Sequence, residues 1–328
     1  MNEPATHATP LVAIVGPTAS GKSALGIHIA EKLGGEVVVC DSTQLYRRFD
    51  IGTAKVRAEE SRGVAHRLVD LLEPEQIFTA GDYRRQALDV LADLRSRGRL
   101  PIFTVGTGLY FRALVEGLAD APTRSEELRA RLRNRADAKG THYLHRLLTR
   151  LDAAAAARIS PRDTPKIIRA IEVCVLTGKQ VSEVLRAGRA RLEGFVPLKI
   201  GLLPPRAELY QRVNHRVRAM LEAGWLEEVR GLLAAGVPAT AKPFQFIGYG
   251  ELRAHLEGIV PLSVAVKAIQ QATRRYAKRQ ITWFRRETGV QWFSGFGDHP
   301  EVAAAVLEYL SRQLGARSPS RTPGAAGV

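Results

Sequence analysis

Over the first 120 residues, short apolar runs alternate with longer stretches in which apolar positions return at helical spacing. That alternation is the pattern of parallel βαβ units in an α/β sheet. Leu11–Val15, Glu36–Cys40, His66–Leu72 and Leu100–Val105 read as strands, and Ala24–Leu33 reads as the first helix. A second helix is expected from Thr79 to Gly98, where Thr79 and Asp82 have the spacing of a capping box and Gly98 supplies a C-terminal stop. From roughly Thr123 to Gly194 the strand signal disappears. This stretch is helical throughout, and its arginines outnumber its acids. A further parallel strand is expected at Leu198–Leu203, bounded by Pro197 and Pro204, after which the pattern stays helical to about Gly289. The expected fold is α/β: a P-loop NTPase-like parallel sheet flanked by helices, with an inserted all-helical basic subdomain and a helical C-terminal part. The expected division is 1–122 for the first part of the core, 123–194 for the insert, 195–315 for completion of the core with basic C-terminal helices, and 316–328 for a disordered tail rich in Ser, Pro, Gly and Ala.

Charge changes this picture more than composition does. At 45% hydrophobic and 25% charged, the 328 residues are ordinary for a globular protein. The balance of 48 Lys and Arg against 33 Asp and Glu is not, and a net charge of +15 points to a polyanionic partner. The basic residues concentrate in the insert and in Lys267–Arg286, which carries seven of them and no acid, interleaved with Tyr276, Trp283 and Phe284. Cys40 and Cys174 are the only cysteines and lie far apart, without zinc-ligand spacing. The segment Met1–Pro10 lacks the basic start and long apolar run of a signal peptide or membrane span. These features predict a soluble protein of a reducing cytoplasm.

Three polar clusters follow three of the expected strands. Gly16, Pro17, Thr18, Ala19, Ser20, Gly21, Lys22 and Ser23 form a phosphate-binding loop between the first strand and the first helix. Its glycines let successive N–H groups turn inward, Lys22 adds a point charge, and Ser23 is placed to ligate Mg²⁺. Asp41, Ser42, Thr43 and Gln44 follow the second strand. Because ligands in open α/β sheets bind outside the carboxyl ends of the strands, Asp41 is expected near the phosphate loop as a base or Mg²⁺ ligand. Thr107, between Gly106 and Gly108, follows the Leu100–Val105 strand and is expected to face the same crevice.

Taken jointly, these clusters resemble the tRNA dimethylallyltransferase family over nearly the whole chain. The motifs are Gly16–Ser23, Asp41-Ser-Thr-Gln-Leu-Tyr46, Asp50-Ile-Gly-Thr-Ala-Lys55, Gly106-Thr-Gly-Leu-Tyr110, Gln211-Arg-Val-Asn-His-Arg216, Phe246-Ile-Gly-Tyr249 and Lys278-Arg-Gln-Ile-Thr-Trp283. Val105 stands where the family usually has glycine, and Val56 where it commonly has proline. The resemblance implies transfer of a dimethylallyl group from dimethylallyl diphosphate, not ATP, to N6 of adenosine 37, beside the anticodon of tRNAs reading codons that begin with U. It implies Asp41 as general base, Thr107 as a substrate contact and Arg216 on the leaving diphosphate, with Mg²⁺ as cofactor. It further implies that tRNA is met by Asp41, Ser42, Thr43, Gln44, Thr107 and Arg129, by Pro165, Lys166, Ile167, Ile168 and Arg169, by Gln245, Phe246, Ile247, Gly248, Tyr249 and Gly250, and by Arg279 and Arg286. A monomer suffices for such a partner. Two other readings compete. A small-molecule kinase using ATP leaves the basic insert and basic helix without purpose, and a non-enzymatic RNA-binding protein leaves the Asp41 cluster without one.

Overall fold

The computed structural model describes residues 8–119, 121–186 and 188–315. The expected tail at 316–328 and most of the Met1–Pro10 segment lie outside them. The chain divides into two compact units, one formed by the residues before Ala113 and after Leu192, the other by Ala113–Leu192. The second unit starts ten residues earlier than the sequence pattern alone indicated, because the last turn of the Gly108–Glu116 helix falls within it.

In the first unit, β1 (Thr9–Val15), β2 (Gly35–Cys40), β3 (His66–Arg67), β4 (Leu100–Val105), β5 (Phe195–Leu203) and β6 (Val290–Ser294) form one parallel sheet in the order β3-β2-β4-β1-β5-β6. Residues Leu11 to Val15 are all fully buried. They form an unbroken apolar run because both faces of the sheet are covered. On one face, Val12, Ile14, Val37, Val39 and Ile200 pack with Leu25 and Ile29 of the Lys22–Leu33 helix and with Val306 and Leu310 of the Pro300–Gly315 helix. Tyr83, on the Ala80–Ser96 helix, is fully buried and donates from its hydroxyl to the carbonyl of Val39 at 3.2 Å. The expected capping box is present: Thr79 Oγ1 accepts the Asp82 N–H at 3.2 Å and Asp82 Oδ2 accepts the Thr79 N–H at 2.8 Å.

Two strand expectations need correction. The run His66–Leu72 yields only a two-residue strand, because Leu68 (φ 60°) and Asp70 (φ 54°) turn into the left-handed region. Lys55 locks that turn, pairing with the Asp70 carboxylate and donating to the carbonyl of Tyr46 at 2.6 Å. Strand β6 falls beyond the helical stretch and was not expected; its short, half-buried sequence gives little periodicity to read.

The second unit is helical among its described residues, as the arginine-rich stretch predicted. Leu132, Leu144, Leu148, Ile167, Ile168 and Ile171 form its core. Asp152 is buried and caps two segments, accepting the N–H groups of Ala155 at 2.9 Å and Ser182 at 2.7 Å.

Candidate active site at the strand ends

All strands are parallel, so the segments after β1, β4 and β2 emerge side by side. After β1, the phosphate loop takes up backbone conformations that favour glycine at Gly16 (φ 150°) and Gly21 (φ 86°), and Ala19 shares the left-handed region (φ 64°). The Lys22–Leu33 helix starts at the end of this loop and directs its N-terminus into it. The Lys22 ammonium folds back over the loop, donating to the carbonyls of Gly16 at 2.9 Å and Pro17 at 2.8 Å. Burial lowers its pKa to about 8, with Asp41 pulling it up and Arg216 pushing it further down. Those opposing influences place Lys22, Asp41 and Arg216 within one electrostatic neighbourhood.

Because β4 lies between β1 and β2, Asp41 must reach across the end of β4 to face the phosphate loop. Gly106 makes this possible: a Cβ there would lie 2.0 Å from Asp41 Oδ2. Asp41 Oδ1 accepts the backbone N–H and the hydroxyl of Thr43 at 2.9 and 2.8 Å, and Oδ2 has no hydrogen-bond partner among the described residues. The two loops are joined further. Gly106 and Thr107 N–H groups donate to the carbonyl of Cys40, and Thr107 Oγ1 accepts the Ser42 N–H at 2.9 Å and donates to Ser42 Oγ at 3.2 Å. β4 runs regularly through Val105, so the turn begins at Gly106 without the glycine common in the family at 105. Val56 packs against the core of the sheet.

Arg216 lies half-buried on the Arg206–Glu222 helix with no hydrogen-bond or ion-pair partner among the described residues. Burial and Arg212 lower its pKa, while Asp41 and Glu60 raise it. An unpaired guanidinium at such a position is poised for an anion. The Ser23 hydroxyl likewise makes no hydrogen bond among the described residues, and no group of three or more His, Cys, Asp or Glu gathers there into a metal site. One hydroxyl and one nearby carboxylate suit Mg²⁺, which is held chiefly by phosphate oxygens and water.

Several residues assigned to RNA contact are placed otherwise. Tyr249 is fully buried, packs against Phe49 and Trp225, and donates to Glu228 at 2.7 Å. Gly248 is buried with it, since a Cβ there would strike the Trp225 ring. Glu228 also accepts the N–H groups of Asp50 and Ile51 at 2.9 and 2.7 Å, so the Asp50–Lys55 motif and the Phe246–Tyr249 motif are two sides of one structural joint. Ile167 and Ile168 belong to the core of the second unit. Arg129 and Arg169 turn inward onto Glu172, at 2.9 and 2.6 Å. Burial alone raises the Glu172 pKa, but both arginines and the Ser125 N–H hold it at about 2. Gln44 spends its amide nitrogen on the carbonyls of Thr53 and Ala54. Phe246, Ile247 and Gly250 are half-buried, whereas Pro165, Lys166, Gln245, Arg279 and Arg286 are exposed.

The basic Leu262–Phe284 helix holds residues that sequence reasoning left out of the site. Tyr276 and Gln280 both donate to the Gly106 carbonyl, at 3.2 and 2.9 Å. Trp283 lies over Gly108, where a Cβ would sit 2.1 Å from its indole nitrogen. Tyr276, Gln280 and Trp283 recur at one-turn spacing on one helix face, and two of them fall in the Lys278–Trp283 motif. The face bearing Lys278, Ile281 and Thr282 lines a separate cavity of about 660 Å³ beside the ends of β5 and β6, which no residue of the phosphate loop lines.

The family model for IPP transferase matches residues 44–287. A tRNA dimethylallyltransferase of Solibacter usitatus is 49% identical over 306 residues, 93% of this chain and 99% of its own. One from Geobacter metallireducens is 46% identical, with 92% and 97% covered. The crystal structure of a tRNA isopentenylpyrophosphate transferase from Bacillus halodurans is 36% identical, covering 94% of this chain and 97% of that one with a TM-score of 0.69. A eukaryotic dimethylallyltransferase acting on tRNA, 24% identical with a TM-score of 0.81 over 96% of this chain and 81% of that one, shares the fold. By family model and by identity along nearly its full length, the chain belongs to the IPP transferase family, whose relatives are the tRNA dimethylallyltransferases.

Proposed function

We propose that this enzyme transfers the dimethylallyl group of dimethylallyl diphosphate to N6 of adenosine 37 in tRNAs reading codons that begin with U, giving N6-(dimethylallyl)adenosine and diphosphate. The observation that carries this reading is that the phosphate loop with its Lys22 ammonium and an Asp41 carboxylate with one free oxygen follow the strands on either side of β4, with the unpaired Arg216 guanidinium of the Arg206–Glu222 helix within electrostatic reach of both. The allylic C–O bond breaks and its electrons leave with the diphosphate, whose growing charge is met by Lys22, the loop N–H groups and Arg216. The N6 lone pair forms the new C–N bond, and the N6 proton passes to Asp41 Oδ2. The target adenine leaves its stack to reach this position. When bound, Mg²⁺ with Ser23 as its protein ligand supplies further neutralisation of the diphosphate. Thr107 holds Ser42 in place and offers its remaining lone pair to the substrate.

Exposed Pro165, Lys166, Gln245, Arg279 and Arg286 contact the anticodon stem-loop, with the helical insert at 123–194 serving chiefly to grip RNA. The enzyme acts as a monomer in the cytoplasm. Among the described residues no helix is long and apolar enough to cross a membrane. The test is transfer of label from dimethylallyl diphosphate to an unmodified anticodon stem-loop, with no consumption of ATP. ATP turnover without transfer to RNA overturns the reading in favour of a kinase.

A further inference from the structure

Gln280 is 6% exposed, and both ends of its amide are committed to backbone groups of the site. Its Oε1 accepts the Thr18 N–H of the phosphate loop at 2.7 Å, and its Nε2 donates to the Gly106 carbonyl at 2.9 Å. The orientation of the amide is forced, since the Thr18 N–H can be met only by the amide oxygen, which turns Nε2 to the Gly106 carbonyl beside the Tyr276 hydroxyl. The two anchors lie on loops with different tasks. Thr18 belongs to the loop that grips the donor, and Gly106 is the residue over which the Asp41 carboxylate lies. We infer that Gln280 is a positioning residue that sets the separation between the phosphate loop and Asp41, and so the alignment of donor carbon, adenine N6 and base. The inference rests on the transfer reading above. Burial keeps Gln280 from RNA, in contrast to its exposed neighbour Arg279.

A side chain that only filled space would be replaced well by methionine, which has similar length and no amide. A side chain that only satisfied Thr18 would be replaced well by glutamate, which keeps the acceptor and loses the donor. A spacer needs both ends, because a near-attack geometry is sensitive to displacements of about 1 Å. The experiment measures transfer kcat, RNA affinity and affinity for inorganic diphosphate in the full chain for Q280M and Q280E. The expected result is a fall in kcat of about 10- to 100-fold in both variants, with diphosphate affinity of Q280M and RNA affinity of both within about threefold of wild type. Either variant retaining wild-type kcat overturns the inference, as does a loss of diphosphate affinity in Q280M that accounts for the whole fall. Hydrogen exchange on the unliganded wild-type protein supplies a readout independent of activity: the Thr18 amide is expected to be protected in wild type and to exchange faster in Q280M. Rapid exchange at Thr18 in wild type overturns the inference even where the variants fail to fold. Absence of transfer by wild type alongside a protected Thr18 amide instead overturns the transfer reading.

Discussion

Replacing Gly106 by alanine is a precise perturbation of the proposed base, because it adds one methyl group without touching Asp41 itself. Gly106 does not occupy a left-handed conformation, so alanine introduces no backbone strain there. The new Cβ would lie 2.0 Å from Asp41 Oδ2, 2.8 Å from its Cγ and 3.3 Å from its Cβ. Since comfortable contact needs about 3.5 Å, the carboxylate oxygen must retreat by roughly 1.5 Å. That movement breaks one or both hydrogen bonds from Thr43 to Oδ1, at about 1 kcal/mol each. It also carries the base out of reach of the N6 proton, which is worth ~10²–10⁴ in rate. The assay is single-turnover transfer with saturating donor and RNA, accompanied by binding of each substrate and a melting curve. The expected result is a kcat lowered ~10²-fold or more, RNA affinity within about threefold, and a melting temperature lowered by a few degrees. Combining G106A with D41A should add almost nothing to D41A alone, because both remove the same interaction. G106A with wild-type kcat, or a double variant in which the two effects multiply, refutes the placement of Asp41 as base.

Asp41→Ala is expected to lower turnover by ~10²–10⁴ with tRNA affinity changed only a few fold, measured by transfer rate against filter binding; lost binding with normal turnover contradicts the role. Arg216→Ala should act through the donor, weakening its use by ~10²-fold, and equal donor kinetics with wild type remove Arg216 from the site. The Lys22 charge is present below a pKa of about 8 in the free enzyme and is lost as pH rises through it, so kcat/KM for the donor should fall above pH 8. Through this group alone stability rises with pH between about 8 and 10.5, because the unfolded chain still holds a proton that the folded chain has lost; a melting curve across that range separates the activity loss from unfolding. Glu172→Gln removes the buried partner of Arg129 and Arg169 and should cost about 3 kcal/mol, read by chemical denaturation. In wild type the contribution of Glu172 is complete above its ordinary pKa of 4.5 and disappears as pH falls towards 2.

The turn from β1 into the first helix was legible because its backbone conformation calls for glycine at both ends, and because the unbroken apolar run before it requires a strand buried on both faces. The placement of Asp41 and Thr107 on one edge was legible for a related reason: in a parallel sheet every strand delivers its carboxyl end to the same edge, so polar residues after different strands share that edge. The inward contacts of Arg129, Arg169, Ile167, Ile168 and Tyr249 were not legible for the converse reason. A motif shows that a residue matters without showing whether it faces a ligand or a neighbour, and these face Glu172, the core of the insert and Glu228.

Sequence by itself determined which chemical groups are available and which edge of the sheet receives them, because apolar runs, loop spacing and helix signals are local properties. Tertiary structure decided the strand order, with β4 between β1 and β2, and therefore the need for a glycine beneath the Asp41 carboxylate. It also decided that Gln280, 174 residues from Gly106 along the chain, would join two loops. Such contacts depend on where distant segments pack, and no local pattern in the chain encodes that distance.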